Sequence, residues 1–371
     1  MNAPAARLAI LHTESSCGWG GQEIRILAEI EGMAARGHAL RLACPPQARI
    51  HDEAQRRGIA VDALPIEKKR LAGAWAMRAW LAAHSADVVN THSSTDSWLA
   101  ALACTTLRRA PALVRTRHIS AAVPGNAATR WLYQSATRTI VTTGTSLKEQ
   151  LVRDNGFDAA RIVSVPTGID LGRFVPATSV ESRRAVRERL GLPAVPLLIG
   201  IVATLRSWKG HRYLIDALAQ LPDAHLVIVG DGPQRAALEE RASRAGVSAR
   251  VSFAGNQADV VPWLQCLDVF ALPSYANEGV PQAILQAGAC ALPIVTTDAG
   301  AIGEVARDGE TALVVAKQDA AALAGAIARL AADPGLARAL GERAAALVRE
   351  RHGTDVMLDA MQAVFSRAAA R

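Results

Sequence analysis

Residues 8–44 read LAILHTESSCGWGGQEIRILAEIEGMAARGHALRLAC. The first six are an apolar run of strand length with no alternation, as expected of a strand buried on both faces. A glycine-rich turn follows at Gly18, Gly20 and Gly21. Across 22–36 the apolar residues Ile26, Ile30 and Met33 recur at helical spacing, and Gly37 stops the helix. Residues 39–44 return to a strand pattern. Strand, tight turn, helix and strand are one crossover unit of a parallel sheet.

The same rhythm runs outward from this stretch. Strands are expected at 61–64, 87–91, 113–116 and 139–142, with helices at 74–83, 95–108 and 146–154. Thr145 is the expected N-cap of the last, and Asn155-Gly156 its stop. The composition turns charged and Arg-rich over 178–196, which reads as a junction, and the rhythm then restarts. Strands at 197–203, 225–229, 251–254, 269–272 and 294–297 interleave with helices at 211–221, 234–245 and 281–289, Pro281 opening the last. Helices at 320–332, 336–351 and 356–369 close the chain. The fold class is therefore α/β, with two doubly wound parallel-sheet domains in tandem. The expected division is 1–175, 176–352 and a C-terminal helical stretch 353–371 that packs back toward the first domain. Ligands of open α/β sheets bind at the carboxyl ends of the strands, so a central cleft between two such domains is the expected site.

The 371 residues are half hydrophobic and one fifth charged, which excludes a disordered chain. Five scattered cysteines form no C-x-x-C pair, so neither a disulfide framework nor a cysteine zinc site is expected. Residues 1–6 lack the pattern of a secretory leader, and the uncharged stretch 279–297 is interrupted by Pro281, Gly288 and Pro293. The expected location is cytoplasmic, peripheral at the inner face of the membrane. Of the net charge of +7, residues 1–170 carry +6, from 20 Lys and Arg against 14 Asp and Glu. This bias favours anionic partners, an anionic inner-membrane surface among them. Nucleic acid is not an expected partner, because aromatics are 4% and no basic-aromatic stripe occurs.

Four stretches carry groups suited to chemistry, each just after an expected strand. Gly20 and Gly21 allow close backbone approach to an anion at a helix start. They fit neither the dinucleotide fingerprint nor the P-loop, which sets aside a dehydrogenase. Arg206 and Lys209, in RSWKG, suit a diphosphate. In PSYANEGVP (273–281), Glu278 can accept sugar hydroxyls, and the amides of Gly279 and Val280 stand at the positive end of the next helix. Gln286, eight residues after Glu278, lies a little over two helical turns from it by spacing. In the first half, Arg117 and His118 end one strand and His92 ends another, as candidates for acceptor binding or proton transfer.

The ordered set resembles the retaining glycosyltransferases of family 4, whose architecture of two Rossmann-like domains is called GT-B. The likeness spans nearly the whole chain and is strongest over 255–304, GNQADVVPWLQCLDVFALPSYANEGVPQAILQAGACALPIVTTDAGAIGE. Supporting matches are Gly20-Gly21, His118, Thr167-Gly168-Ile169-Asp170, 206–210 and Gly230-Asp231-Gly232-Pro233. The resemblance implies catalytic roles for His118, Arg206, Lys209 and Glu278, and donor binding by Gly20, Gly21, Gly232, Gly279, Val280 and Gln286. His92 and Arg117, from their strand-end positions, are the candidates for the acceptor side. The family's second Glu, which grips the ribose, is Gln286 here. The resemblance further implies a nucleotide-sugar donor, a glycan or lipid-linked acceptor and same-face attack. No D-x-D occurs, so no metal and no cofactor are expected. The alternatives are a nucleotide-sugar 2-epimerase and a degenerate nucleotide-sugar binding protein.

Overall fold

The computed structural model of the chain describes residues 6–370. The opening stretch read for a leader lies, up to residue 5, outside the described residues. The chain forms two compact units, one running to Gly168 and taking in the residues from Asp355 onward, the other comprising Ile169–Thr354.

The first unit holds a seven-stranded parallel sheet. Its strands are β1 (Ala9–Thr13), β2 (Ala39–Cys44), β3 (Val61–Ala63), β4 (Val88–Thr91), β5 (Ala112–Arg117), β6 (Thr139–Thr142) and β7 (Ile162–Ser164), in the order β3-β2-β1-β4-β5-β6-β7. Ile10 pairs with Leu40 on one side and Val88 on the other, so β1 is central. One face is covered by the helices Leu71–Ala83 and Ser94–Thr105, through Met77, Trp80, Leu81 and Leu99. On the other face the C-terminal helix Thr354–Ala369 lays Met357, Met361, Val364 and Phe365 on Ile10, Val88, Val114 and Val141.

The second unit holds β8 (Leu197–Val202), β9 (Ala224–Val229), β10 (Val251–Gly255), β11 (Val269–Leu272), β12 (Ile294–Thr296) and β13 (Leu313–Val314), ordered β10-β9-β8-β11-β12-β13. All its ladders are parallel, with β9 buried along its whole length. In each sheet the winding reverses once, between β1 and β4 and between β8 and β11. Such reversals open a crevice at the strand ends where ligands bind.

Several local expectations change. The charged stretch 178–196 contains the helix Val180–Arg189, opened by a reciprocal Ser179–Ser182 capping box. Its side chains are all outside the core, so it carries no apolar stripe to read. Gly144, not Thr145, is the N-cap of the helix Thr145–Asn155, while Gly156 closes it in the left-handed conformation, φ 62°. Pro281 stands one position ahead of its helix, extended at ψ 126°, as the N-cap of Gln282–Ala289. Not expected from the sequence were β7, β13 and the helix Arg49–Arg56, which buries only Ile50 and Ala54.

Candidate functional site

In the second unit the candidate side chains gather where the sheet reverses. Behind β8 the chain makes a single 3-10 turn, Ser207–Lys209, and enters the helix His211–Leu218 through Gly210. Gly210 has φ +77°, and a Cβ there would lie 2.0 Å from the Pro273 carbonyl oxygen, so the loops behind β8 and β11 touch backbone to backbone. Tyr275 N–H donates to the Trp208 carbonyl at 2.9 Å across the same seam. Behind β12, Gly300 at φ +58° admits the Glu278 carbonyl, which would stand 2.1 Å from a Cβ. Asn277, also left-handed at φ 58°, turns the chain just before Glu278.

These contacts fix one carboxylate. Lys209 Nζ donates to Glu278 Oε1 at 2.7 Å and Oε2 at 2.9 Å, and Ser274 Oγ donates to Oε1 at 2.6 Å. Glu278 is 4% exposed. An ammonium has three donors, so Lys209 keeps one beyond this pair, and the carboxylate keeps acceptor capacity for a hydroxyl. Arg206 is exposed, its guanidinium 5.9 Å over the Trp208 ring. Gly232 packs on Leu205 in the loop behind β9, where Leu205 N–H donates to Asp231 at 3.0 Å. Gly279 and Val280 are buried just ahead of the helix Gln282–Ala289, and Gln286 is buried within it. The structure therefore brings Arg206, Lys209, Gly232, Glu278, Gly279, Val280 and Gln286 to one end of one sheet.

The first unit places Gly20 and Gly21 at the N-terminus of the helix Gly21–Ala35 behind β1, and His92 and His118 behind β4 and β5. His12 Nδ1 lies 3.0 Å from His92 Nε2, and His92 Nδ1 lies 3.0 Å from His118 Nε2. Low-dielectric surroundings hold all three well below 6.5, His12 down to about 3, with nearby cations adding to the effect. Neutral rings satisfy both bonds only if their N–H groups run in one direction. His118 then offers its Nδ1 either as a donor or as a lone pair, according to the far end of the row. There, His12 Nε2 faces Glu29 Oε1 at 3.9 Å. Glu29 also accepts from Asn90 at 3.2 Å and sits 3.7 Å from Arg25. Burial raises the Glu29 carboxyl to about 7 against the pull of Arg25. Sequence reasoning did not find this row, because its members come from strand ends 80 and 26 residues apart.

A cavity of about 520 Å³ opens beside His92 and His118. Arg117 lines it but is committed to the loop that walls it: it donates to Tyr133 Oη at 2.9 Å and to the Ile119 and Ala121 carbonyls. Lys69, Trp98, Arg115 and Tyr133 also line it and had no role in the sequence reading.

Residues 19–173 match the family described as Glycosyltransferase Family 4, and 196–333 the family described as Glycosyl transferases group 1. A D-inositol 3-phosphate glycosyltransferase of Xylanimonas cellulosilytica is 32% identical over 310 residues, 77% of this chain and 73% of that one. The lipopolysaccharide core biosynthesis glycosyltransferase LpsE of Rhizobium meliloti is 35% identical over 220 residues, 59% of this chain and 61% of LpsE. With two other curated relatives the match spans 50% of the relative's length. Anabaena HepE, solved in complex with UDP and glucose, superposes with a TM-score of 0.86 at 21% identity, over 97% of this chain and 100% of that one. Two doubly wound sheets of this kind are the GT-B class of fold. Within that class, the chain belongs to the family-4 glycosyltransferases.

Proposed function

We propose that the protein is a retaining, metal-independent glycosyltransferase. It moves a sugar from a nucleotide-sugar donor to a glycan or lipid-linked acceptor in cell-envelope polysaccharide or lipopolysaccharide synthesis. The observation that carries the reading is the Lys209–Glu278–Ser274 cluster at the reversal of the second sheet, ahead of a helix N-terminus. There, Arg206, the third Lys209 donor and the Gly279 and Val280 amides suit a diphosphate, and Glu278 suits a sugar hydroxyl. Departure of the nucleoside diphosphate concentrates negative charge on its phosphates, and preorganised donors stabilise that charge most in the transition state. Fixed cations can serve there in place of a metal. His118 supplies a neutral imidazole to the reacting sugar, and the donor's own phosphate oxygen takes the acceptor proton. The names of HepE's ligands and of LpsE support the donor and the biosynthetic setting. The +6 charge of residues 1–170 supports an anionic acceptor or membrane surface.

Incubation with UDP-, GDP- and ADP-sugars, with and without EDTA, tests this. Release of nucleoside diphosphate that survives EDTA, with the donor's anomeric configuration kept in the product, is expected. Loss of activity with EDTA, restored by Mg²⁺ or Mn²⁺, contradicts the metal-free part. An inverted product contradicts retention, and inversion at sugar C2 without release points to an epimerase.

A further inference from the structure

The row of imidazoles behind β1, β4 and β5 is closed at one end and open at the other. His12, Arg25, Glu29, Asn90 and His92 are buried, whereas His118 lines the cavity. At that depth the neighbouring side chains, not solvent, decide which nitrogens carry protons. The three rings are neutral near pH 7, because burial holds them well below 6.5. Each therefore has one N–H and one lone pair, and two arrangements satisfy both bonds of the row. In the first, every proton is on Nε2: His118 donates to His92, His92 donates to His12, and His12 turns an N–H toward Glu29. In the second, every proton is on Nδ1: His12 donates to His92, His92 donates to His118, and His12 turns a lone pair toward Glu29.

The surroundings of Glu29 choose between them. Arg25 and Glu29 lie one turn apart on the helix Gly21–Ala35. Arg25 Nη1 donates to the Val165 carbonyl at 2.8 Å and to Thr167 Oγ1 at 3.3 Å, and its Nε stands 3.7 Å from Glu29 Oε2. A guanidinium keeps its proton, and a buried charge needs an opposite one beside it. Asn90 Nδ2 donates to Glu29 Oε1 at 3.2 Å, while Asn90 Oδ1 accepts from Thr116 Oγ1 at 2.9 Å. A cation and an N–H donor both suit an ionised Glu29. His12 Nε2 is 3.9 Å from the same Oε1 and is buried without a hydrogen-bond partner. That distance is longer than a hydrogen bond, but inside a protein an anion so close still attracts an N–H and repels a lone pair.

We propose that Glu29 is a positioning residue for His118: its carboxylate aligns the N–H groups of His12, His92 and His118 toward itself, so that His118 is left with a bare Nδ1. A bare nitrogen accepts a hydrogen bond from a hydroxyl and repels a group that can only accept, such as fluorine or a carboxylate. The charge at the closed end thereby becomes a preference for a sugar hydroxyl at the open end. This consequence rests on the reading that His118 meets the donor sugar.

Nitrogen NMR of the full chain, labelled with 15N-histidine and held at pH 8, reads the tautomer of each ring. Burial raises the Glu29 carboxyl to about 7, so it is ionised there. His12, His92 and His118 should all carry the proton on Nε2, and protons on Nδ1 overturn the proposal. In Glu29→Gln the amide oxygen suits Arg25 and the amide N–H₂ falls to His12 Nε2, so the three rings should change together to Nδ1–H. His12→Leu serves if that variant does not fold. It leaves Glu29 beside Arg25 but takes away the acceptor of the His92 Nε2–H, so His92 and His118 should change to Nδ1–H. Rings that keep Nε2–H in either folded variant overturn the alignment. Competition binding with monodeoxyfluoro analogues of the accepted donor, one sugar position at a time, reads the consequence. At one position the analogue should bind ~10-fold more weakly than its parent, and in a folded variant with reversed rings by less than ~3-fold. A merely structural role for Glu29 weakens parent and analogue alike, and an unchanged ratio overturns the specificity. Nucleotide release separates the two readings. Nε2–H rings without release from any nucleotide sugar contradict the transferase reading alone, and release with Nδ1–H rings in the unaltered chain contradicts the alignment alone.

Discussion

The Glu278 carboxylate accepts from both Lys209 and Ser274, so it fixes the position of the lysine. Lys209→Ala and Arg206→Ala should each cut turnover at least ~100-fold, the usual scale for a lost transition-state donor; near-normal initial rates in either would move the diphosphate elsewhere. Gln286 should act on binding instead. Glu in its place offers a charged acceptor to a ribose hydroxyl, so Gln286→Glu should lower the donor KM about fivefold, near 1 kcal/mol. Gln286→Ala should raise the donor KM, and turnover should change less in both, because ribose contacts persist from ground to transition state. An unchanged donor KM in both would remove Gln286 from the nucleotide. The buried histidines predict a pH response. His12 and His211 are held to about 3 and His352 to about 4 by burial, with His92 and His118 also well below 6.5. Below pH 6.5 the unfolded chain takes up protons that these folded rings refuse, so stability falls with acid. Burial raises Glu14 to about 8, Glu29 to about 7 and Asp96 to about 6. The folded chain keeps those protons after unfolded carboxyls have released theirs, so this stability is lost as pH rises toward 8. Burial also lowers His38 and His225 and raises Glu23, so seven histidines outnumber four carboxyls on the acid side, and the highest melting temperature should fall between pH 6 and 7. A melting temperature that climbs steadily from pH 5 to 8.5 would contradict this balance. Lys209 and Glu278 were legible because each sits in a dense local motif behind a strand. The burial of Arg115 was not, since it depends on the Tyr133 ring 4.5 Å from its guanidinium and on a fold that brings the Asp96 charge near.

At the scale of elements, most of the fold was legible because parallel strands buried on both faces read as unbroken apolar runs. The helix Val180–Arg189 was not, having no buried side chain to set a period. The strand order was not legible either, and it is the order β1-β4-β5 that brings His12, His92 and His118 into one row. The loops behind β8, β11 and β12 act as one piece, held at Gly210 and Gly300. A methyl group at Gly300 meets the Glu278 carbonyl at 2.1 Å, and the left-handed backbone adds about 1–2 kcal/mol of strain. Gly300→Ala should therefore lower turnover more than tenfold while the chain stays folded. Unchanged kinetics would show that the Glu278 loop tolerates displacement. The C-terminal helix is a structural part of the first sheet: Phe365 is fully buried and meets the His12 ring edge-on at 6.0 Å. Phe365→Ala should cost about 3–5 kcal/mol by chemical denaturation; a loss under 1 kcal/mol would mean that the helix contributes little to that core.

At the scale of the molecule, the two units repeat one winding and differ in what they place at its reversal. The first offers a row of neutral imidazoles and a cationic cavity, the second a lysine–carboxylate pair ahead of a helix start. Among the described residues no single helix is long and apolar enough to cross a membrane, and all five cysteines are unbridged. The account stands on the second unit as the holder of a nucleotide sugar. Hydrogen–deuterium exchange of the full chain, alone and with whichever of the UDP-, GDP- and ADP-sugars binds most tightly, tests that directly. Slowed exchange should appear at 203–210, 230–234 and 273–286, and Lys209→Ala should weaken the binding at least tenfold. Binding of none of these donors, or slowed exchange confined to the first unit, would contradict the account.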